Sequence, residues 1–419
     1  MSENYYPLEN ILESEKEKEF RKEVREWVLN EVLPETDRIE NEKLFPRHLF
    51  KKMGEKGYLK VLFPKSVGGT ELGIKFGFIL GEEIGWACRP LVAALDCTIF
   101  GSIPIMRFGT PEQIKKYLPG ALNGDKIGAI AMTEPGAGSD VFSMKTFAKK
   151  DSNGDYIING EKRFITNGSQ ADFLTLWCMT DTNVKSHMGM SAFIIEPSFE
   201  GFEIVGDFEL MGCYGLNNTY MRFNNMKVPK ENLIGKKEGL GAKILLDELD
   251  SERTLAAASA CGGARRAIEI AAKHANERKQ FGKALKRFEW VSFTIADMAI
   301  KLEAARNLTY QAACIIDAGK DASKIAAIAK VYATDIAFDC ANLSLQICGG
   351  LGYMKGEYNK DSGTYLNPNG SPAYVIERVF RATRLSSITA GTNQILKFLI
   401  QREVFKEMGL KTPEESQNW

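Results

Sequence analysis

Histidine is scarce in this sequence: His48, His187 and His274 are the only three. None stands at a metal-ligand spacing from another, so no metal site is expected, and a Ser-His-Asp mechanism has too few parts. The eight cysteines (Cys88, Cys97, Cys178, Cys213, Cys261, Cys314, Cys340 and Cys348) include no CxxC pair, which removes dithiol and zinc-ribbon chemistry and fits a reducing, cytoplasmic setting. An excess of one charge is missing too. The 54 Lys+Arg balance the 54 Asp+Glu, so no polyanion is implied and nucleic acid is not expected as a partner. Long apolar runs are also lacking. The longest, 90–106, is broken by Asp96 and falls short of the roughly 20 residues a bilayer needs, so no membrane insertion is expected. The N-terminal stretch has neither a basic region nor an apolar one, which excludes a secretory or transit signal. There is no internal repeat and no low-complexity tract.

What is present is material for a core: 419 residues, 44% hydrophobic and 26% charged, enough for two or three domains. Ser14 and Glu17 form a capping box ahead of Phe20, Val24 and Val32 at helical spacing, with Pro34 ending the pattern. Helical periodicity recurs around 48–55, 76–85, 91–107 and 111–118. From about residue 126 the period shortens. Runs at 127–132, 156–159, 173–179, 190–196, 202–205 and 220–228 are rich in Ile, Phe and Val and separated by turns, which predicts a small β-sandwich or barrel. The helical period returns over 241–275, 288–318, 323–348 and 392–408, while the Gly- and Pro-rich stretch 349–374 argues against helix. The fold class expected is α+β: an N-terminal helical domain (1–126), a middle β domain (127–240) and a C-terminal helical bundle (241–419).

Five segments carry candidate chemistry. TEPGAGSD (133–140) follows a strand, and its glycines let backbone N–H groups approach a flat ring or a phosphate. It matches neither a P-loop nor a dinucleotide fingerprint, and taken alone is an ordinary turn. KRFITNGS (162–169) sets an aromatic ahead of a hydroxyl at a strand end, a pair suited to a heteroaromatic cofactor or simply to a β core. ERKQFGK (277–283) gathers cations at a helix end, where they complement the dipole or meet a pyrophosphate. QICGGLGY (346–353) reads as a helix C-cap, and AGTNQ (390–394) opens the last helix with free donors.

In this order, on a helix–strand–helix chain, these motifs resemble the acyl-CoA dehydrogenase family of flavoproteins, over about residues 20–405. The resemblance also takes in FPKSVGG (63–69) and VPKENLIG (228–235). It implies FAD bound between the β domain and the C-terminal helices, with an acyl-CoA thioester against the flavin. By position, Thr133, Phe164 and Thr166 would contact the flavin ring, Phe164 standing where many members have Trp. Ser139 would meet the pantetheine-phosphate part of CoA, Asp250 and Arg253 its far end, and Gly391 the thioester. Arg278, Gln280, Phe281, Gln346 and Gly350 would reach the FAD of a neighbouring subunit, and Thr392 and Gln394 would approach the cofactor. A homodimer or homotetramer is therefore expected.

The resemblance further implies that a carboxylate takes the α-proton of the thioester while the β-hydrogen leaves as hydride to the flavin, with electrons passed to an electron-transfer flavoprotein. Most members place the base just before the Gly-Thr of the last helix, where this chain has Ala390. A minority, similar to isovaleryl- and long-chain acyl-CoA dehydrogenases, carry it immediately before an Arg on a helix. Here Glu252-Arg253 fits that pattern. Alone, Glu252 reads as a solvated helix-face carboxylate; the loss at 390 and the gain at 252 together point to it as the base. The small Ala390 leaves room for a branched, cyclic or aryl-substituted acyl group. Asp96, in the stretch 89–103 that lines the acyl end by family position, is either a capped or solvated Asp, or a polar contact or second proton acceptor for the substrate. Arg89 stands close to, but out of register with, the arginine that dicarboxylyl members use. Other departures are Glu289 for Gln, Ala382 for Asp, and an insertion at 356–374. Two alternatives keep the fold: a flavin oxidase or monooxygenase that gives electrons to oxygen, and a non-enzymatic flavin-binding assembly partner.

Overall fold

The computed structural model describes residues 12–360, 364–366 and 371–412. Six helices come first: α1 (Glu15–Trp27), α2 (Thr36–Glu42), α3 (Arg47–Lys56), α4 (Ile74–Ala87), α5 (Arg89–Phe108) and α6 (Pro111–Leu122). The Ser14 capping box is formed, with Glu17 N–H reaching Ser14 Oγ. Pro34 does not stop the chain's helical course. It sits early in the 3-10 turn Leu33–Glu35, where its missing N–H costs nothing, and α2 follows directly. Helix α5 contains 20 residues, so length alone does not set it apart from a membrane span; its inner face is buried against β1 and α8.

The middle segment holds β1 (Gly128–Ala131), β2 (Phe147–Lys150), β3 (Tyr156–Thr166), β4 (Phe173–Met179), the one-turn α7 (Ser186–Gly189), β5 (Met190–Ile195), β6 (Phe202–Asp207) and β7 (Asn218–Val228). The expected barrel or sandwich resolves into one curled sheet ordered β1-β4-β2-β3-β7-β6, with β5 on β4. Strand β2 escaped the sequence reading because two of its four residues are exposed lysines and no alternation marks it.

The last segment is α8 (Gly241–Glu277), the hairpin β8 (Lys279–Gln280) and β9 (Lys283–Ala284), α9 (Glu289–Asp317), α10 (Ser323–Cys348), α11 (Gly350–Tyr353), the hairpin β10 (Glu357–Asn359) and β11 (Thr364–Leu366), α12 (Ile376–Arg384) and α13 (Asn393–Glu407). The short α11 corrects the expectation of no helix after Gly349, whose positive φ lets the chain turn and restart. The rest of the insertion, 361–363 and 367–370, lies outside the described residues.

One core joins the three segments: Leu49, Leu91 and Phe100 from the first helices, Phe173 and Trp177 from the sheet, and Leu245 and Leu255 from α8 pack in a single cluster. Helices α8 and α10 run parallel. Lys330 of α10 is attracted by Glu252 of α8, and further along the pair Ser344 Oγ donates to the Ala267 carbonyl (2.8 Å). Both C-termini therefore lie at the same end of the bundle.

Candidate active site

Glu134 fixes the first motif. Its carboxylate accepts from Lys162 Nζ (2.8 Å) and from the N–H groups of Lys145 (2.6 Å) and Thr146 (3.1 Å), and Lys162 also donates to the Met132 carbonyl (2.7 Å). Burial alone would raise the Glu134 carboxyl, but Lys162 and these donors hold it below its ordinary value. The turn that carries Thr133 and Ser139 is thus anchored from beneath. Thr133 is part-exposed and Ser139 is exposed.

Phe164 was read in isolation as a β-core residue. The register of β3 against β7 shifts between Lys162 and Ile165, and within that bulge Phe164 has φ +61° and is 56% exposed. A bulge re-aims a side chain, and here it turns a ring off the core onto the sheet face, against Phe208 (5.0 Å). Asn218 Nδ2 lies 3.3 Å from both the Phe164 carbonyl and Thr166 Oγ1.

Thr166 leads on to the carboxylates. The Cys97 thiol of α5 is pushed up by burial; the charges of Glu252 and Asp96 add to the rise and the Thr166 hydroxyl opposes it. Glu252 lies half-buried on α8, a helix that packs against α5 and α10. Burial raises its carboxyl, and the charges of Arg253 and Lys330 oppose the rise. Asp96 is half-buried and makes no hydrogen bond among the described residues; burial pushes its carboxyl up to about 7, Arg89 opposes this, and Glu252 adds to it. Beside them, Glu248 is 1% exposed, its Oε2 has no partner, and burial with Glu252 one turn away carries it well above its ordinary value.

The last helix closes the cleft. Ala390 (φ +56°) and Gly391 (φ +78°) both adopt the left-handed conformation, and the fully buried Lys330 donates to the Gly391 carbonyl (2.8 Å) and to Asn393 Oδ1 (3.0 Å). Thr392 caps α13 by accepting from Ile395 N–H (3.3 Å), and Gln394 is exposed. Asp250 accepts from Ser323 Oγ (2.9 Å) and lies 3.4 Å from Arg253, whose Nε is buried and unpartnered.

One subunit therefore brings Thr166, Asp96, Glu252, Arg253 and the 390–391 turn to one cleft. It leaves Arg278, Gln280, Phe281, Gln346 and Gly350 elsewhere. At 1.5 Å per residue, Arg278 lies about 39 Å along the axis from Glu252, and Gln346 about 24 Å from Lys330. All five are exposed at the common end of α8 and α10, and Arg278 makes no ion pair among the described residues. Sequence reasoning missed Lys330, Glu248 and the Glu134–Lys162 pair. Lys330 stands at an inward position of an alanine-rich helix, a signal that could have found it.

Three family models match in succession: acyl-CoA dehydrogenase N-terminal domain over 14–125, middle domain over 129–226 and C-terminal domain over 239–405. A Bacillus subtilis acyl-CoA dehydrogenase is 37% identical over 91% of this chain and 96% of its own length. The chain belongs to the acyl-CoA dehydrogenase family. Cyclohex-1-ene-1-carbonyl-CoA dehydrogenase of Geobacter metallireducens is also 37% identical, over 90% and 95% of the two chains. Butyryl-CoA dehydrogenase of Megasphaera elsdenii superposes with a TM-score of 0.86 at 31% identity, covering 95% of this chain and 100% of the other. This acyl-CoA dehydrogenase is thus an oxidoreductase acting on acyl-CoA, and FAD is the cofactor of its family.

Proposed function

We propose that this acyl-CoA dehydrogenase removes the α-proton of its thioester with Glu252. One observation carries the reading: Glu252 attracts Lys330, which donates to the Gly391 carbonyl (2.8 Å) beside residue 390, and residue 390 itself cannot accept a proton. An α C–H is a weak acid, so the base must be held close and kept from water. The walls of α5, α8 and α10 do this, and the raised carboxyl brings the base nearer in strength to the proton it takes. Arg253 and Lys330 supply the opposing charge that lets Glu252 ionise in a buried place.

The residues present fit FAD: an exposed ring at Phe164, the hydroxyls of Thr133 just after β1 and Thr166 at the end of β3, and a backbone turn held by Glu134. FAD, when bound, accepts the β-hydrogen with its electron pair. Phe164 would stack on it, Thr133 and Thr166 would hydrogen-bond it, and Thr392 and Gln394 would approach it from α13. Ser139, Asp250 and Arg253 would hold CoA, with Gly391 beside the thioester.

Arg278, Gln280, Phe281, Gln346 and Gly350 would serve the cofactor of a second copy of this chain. Phe281 (92% exposed) and the α9 stripe Trp290, Phe293 and Ile300 (55%, 64% and 68%) leave an apolar face beside these residues that a homodimer or homotetramer would cover. Electron-transfer flavoprotein is the acceptor we assign, and the free cysteines suit a reducing, cytoplasmic setting.

The small Ala390 and the unpaired Asp96 favour a branched, cyclic or aryl-substituted acyl group, with Asp96 as a polar contact or second proton acceptor. Anaerobic reduction by isovaleryl-, octanoyl-, glutaryl- and cyclohexanecarboxyl-CoA tests the substrate class, and a clear preference for octanoyl-CoA with Asp96→Ala unaffected sinks it. For the base, a Glu252→Gln protein that is reduced within an order of magnitude of the parent rate shows the assignment to be wrong.

A further inference from the structure

The cleft holds three acids and too few cations. Glu252 and Glu248 lie one turn apart on α8, and Asp96 faces them from α5, with the Cys97 thiol beside it. Against them stand Arg253 on α8, Arg89 and Arg107 on α5 and Lys330 on α10, with Asp247 adding to the rise of Glu248 and Asp335 also attracting Lys330. Arg253 is shared with Asp250, and Arg89 is turned to Ser386 (2.7 Å). Lys330 differs from both. It is fully buried, forms no ion pair within 4 Å among the described residues, and directs two hydrogen bonds to the Gly391 carbonyl and Asn393 Oδ1. Asn393 is itself held by Asp335 Oδ1 (2.7 Å) and Thr334 Oγ1 (3.0 Å).

The turn it grips is costly. Ala390 is a non-glycine residue at positive φ, a conformation that persists only where its surroundings enforce it. An ammonium bonded to the next carbonyl is such an enforcement, and a buried lysine without a carboxylate partner is itself expensive unless it acts through its charge.

We propose that Lys330 is a positioning residue of the active site: its ammonium fixes the strained Ala390–Gly391 turn against the cleft and supplies the charge that lets Glu252 ionise beside Asp96 and Glu248. This rests on Glu252 being the base. Two consequences follow. Without the cation, Glu252 ionises at higher pH, because an opposite charge nearby favours the carboxylate. Burial brings Lys330 down to about 8, so the parent enzyme loses this support as pH rises through that value.

The test is anaerobic flavin reduction from pH 5.5 to 9.5 in the parent, Lys330→Gln and Glu252→Gln proteins, with FAD content, and with infrared titration of the carboxyl band that Glu252→Gln removes. Glutamine keeps a donor for Gly391 and deletes the charge. In Lys330→Gln we expect the acid limb of the rate profile and the infrared midpoint to move up together by about one pH unit. A Lys330→Gln protein slowed equally at every pH, with the infrared midpoint unmoved, overturns the inference and leaves Glu252 as the base. Rapid reduction of Glu252→Gln overturns the underlying reading instead. Should Lys330→Gln not fold, Lys330→Met is titrated in the same way, and an infrared midpoint that stays at the parent's value refutes the role given to Lys330.

Discussion

Two clusters of carboxylates lie along α8, one fully buried and one partly so, and they are built in opposite ways. In the first, Glu82 and Glu83 of α4 are fully buried and surrounded by arginines: Arg21 at 2.6 and 2.9 Å, Arg25 at 2.7 Å, Arg265 at 3.1 Å and Arg306 at 2.7 Å. Burial would raise Glu83, yet Arg265, Arg21 and Arg25 hold it down to about 2. In the second, Asp96, Glu248 and Glu252 share a cleft with cations that are mostly engaged elsewhere, and all three carboxyls are raised. A saturated cluster locks α1, α4, α8 and α9 together and has no group free to exchange a proton. An unsaturated one is costly to keep, and perturbed groups in a cleft mark a functional site.

The sharpest way to break this contrast is to neutralise one acid in each cluster. Glu252→Gln should slow flavin reduction by about 10²- to 10⁴-fold, the usual contribution of a general base, while leaving the melting temperature unchanged or higher. Glu83→Gln should do the reverse. It leaves buried arginines without their counter-charge and should destabilise the fold by about 3 to 5 kcal/mol, read by denaturant unfolding, with the pH midpoint of the surviving activity unmoved.

A smaller effect belongs to the far end of the bundle. Arg278→Ala should weaken FAD retention roughly tenfold and shift sedimentation toward smaller species together, because a charge-assisted contact to a pyrophosphate is lost there. A variant that sheds FAD but keeps its assembly separates the cofactor role from the interface role.

The smallest effect depends on pH. The Glu83 carboxyl lies below its ordinary 4.5, so its contribution to stability is complete above that value and is lost as pH falls toward 2. Asp96 has the opposite sign: its folded value of about 7 stands above the ordinary 3.8, so stability declines as pH rises between the two. Asp96→Asn should therefore raise the melting temperature at pH 8 and change it little at pH 4. A uniform change at both pH values contradicts the unpaired state of Asp96.

The sequence by itself determined the elements whose patterns are local. The Ser14–Glu17 box, the apolar run of β4, the alternation of β7 and the long helices α8 and α10 were legible because the spacing of apolar side chains alone reports what is buried. The replacement of the base position by Ala390 and the appearance of Glu252-Arg253 were legible as a pair. Only the tertiary structure decided the rest, because it depends on which surfaces meet. The bulge that turns Phe164 outward needs the register between β3 and β7. The parallel course of α8 and α10 is what sends Arg278 and Gln346 to one end, far from Glu252. Lys330 reads in the sequence as one lysine among many, and it acquires a role only when packing takes it out of water and sets it between Glu252 and the Gly391 carbonyl.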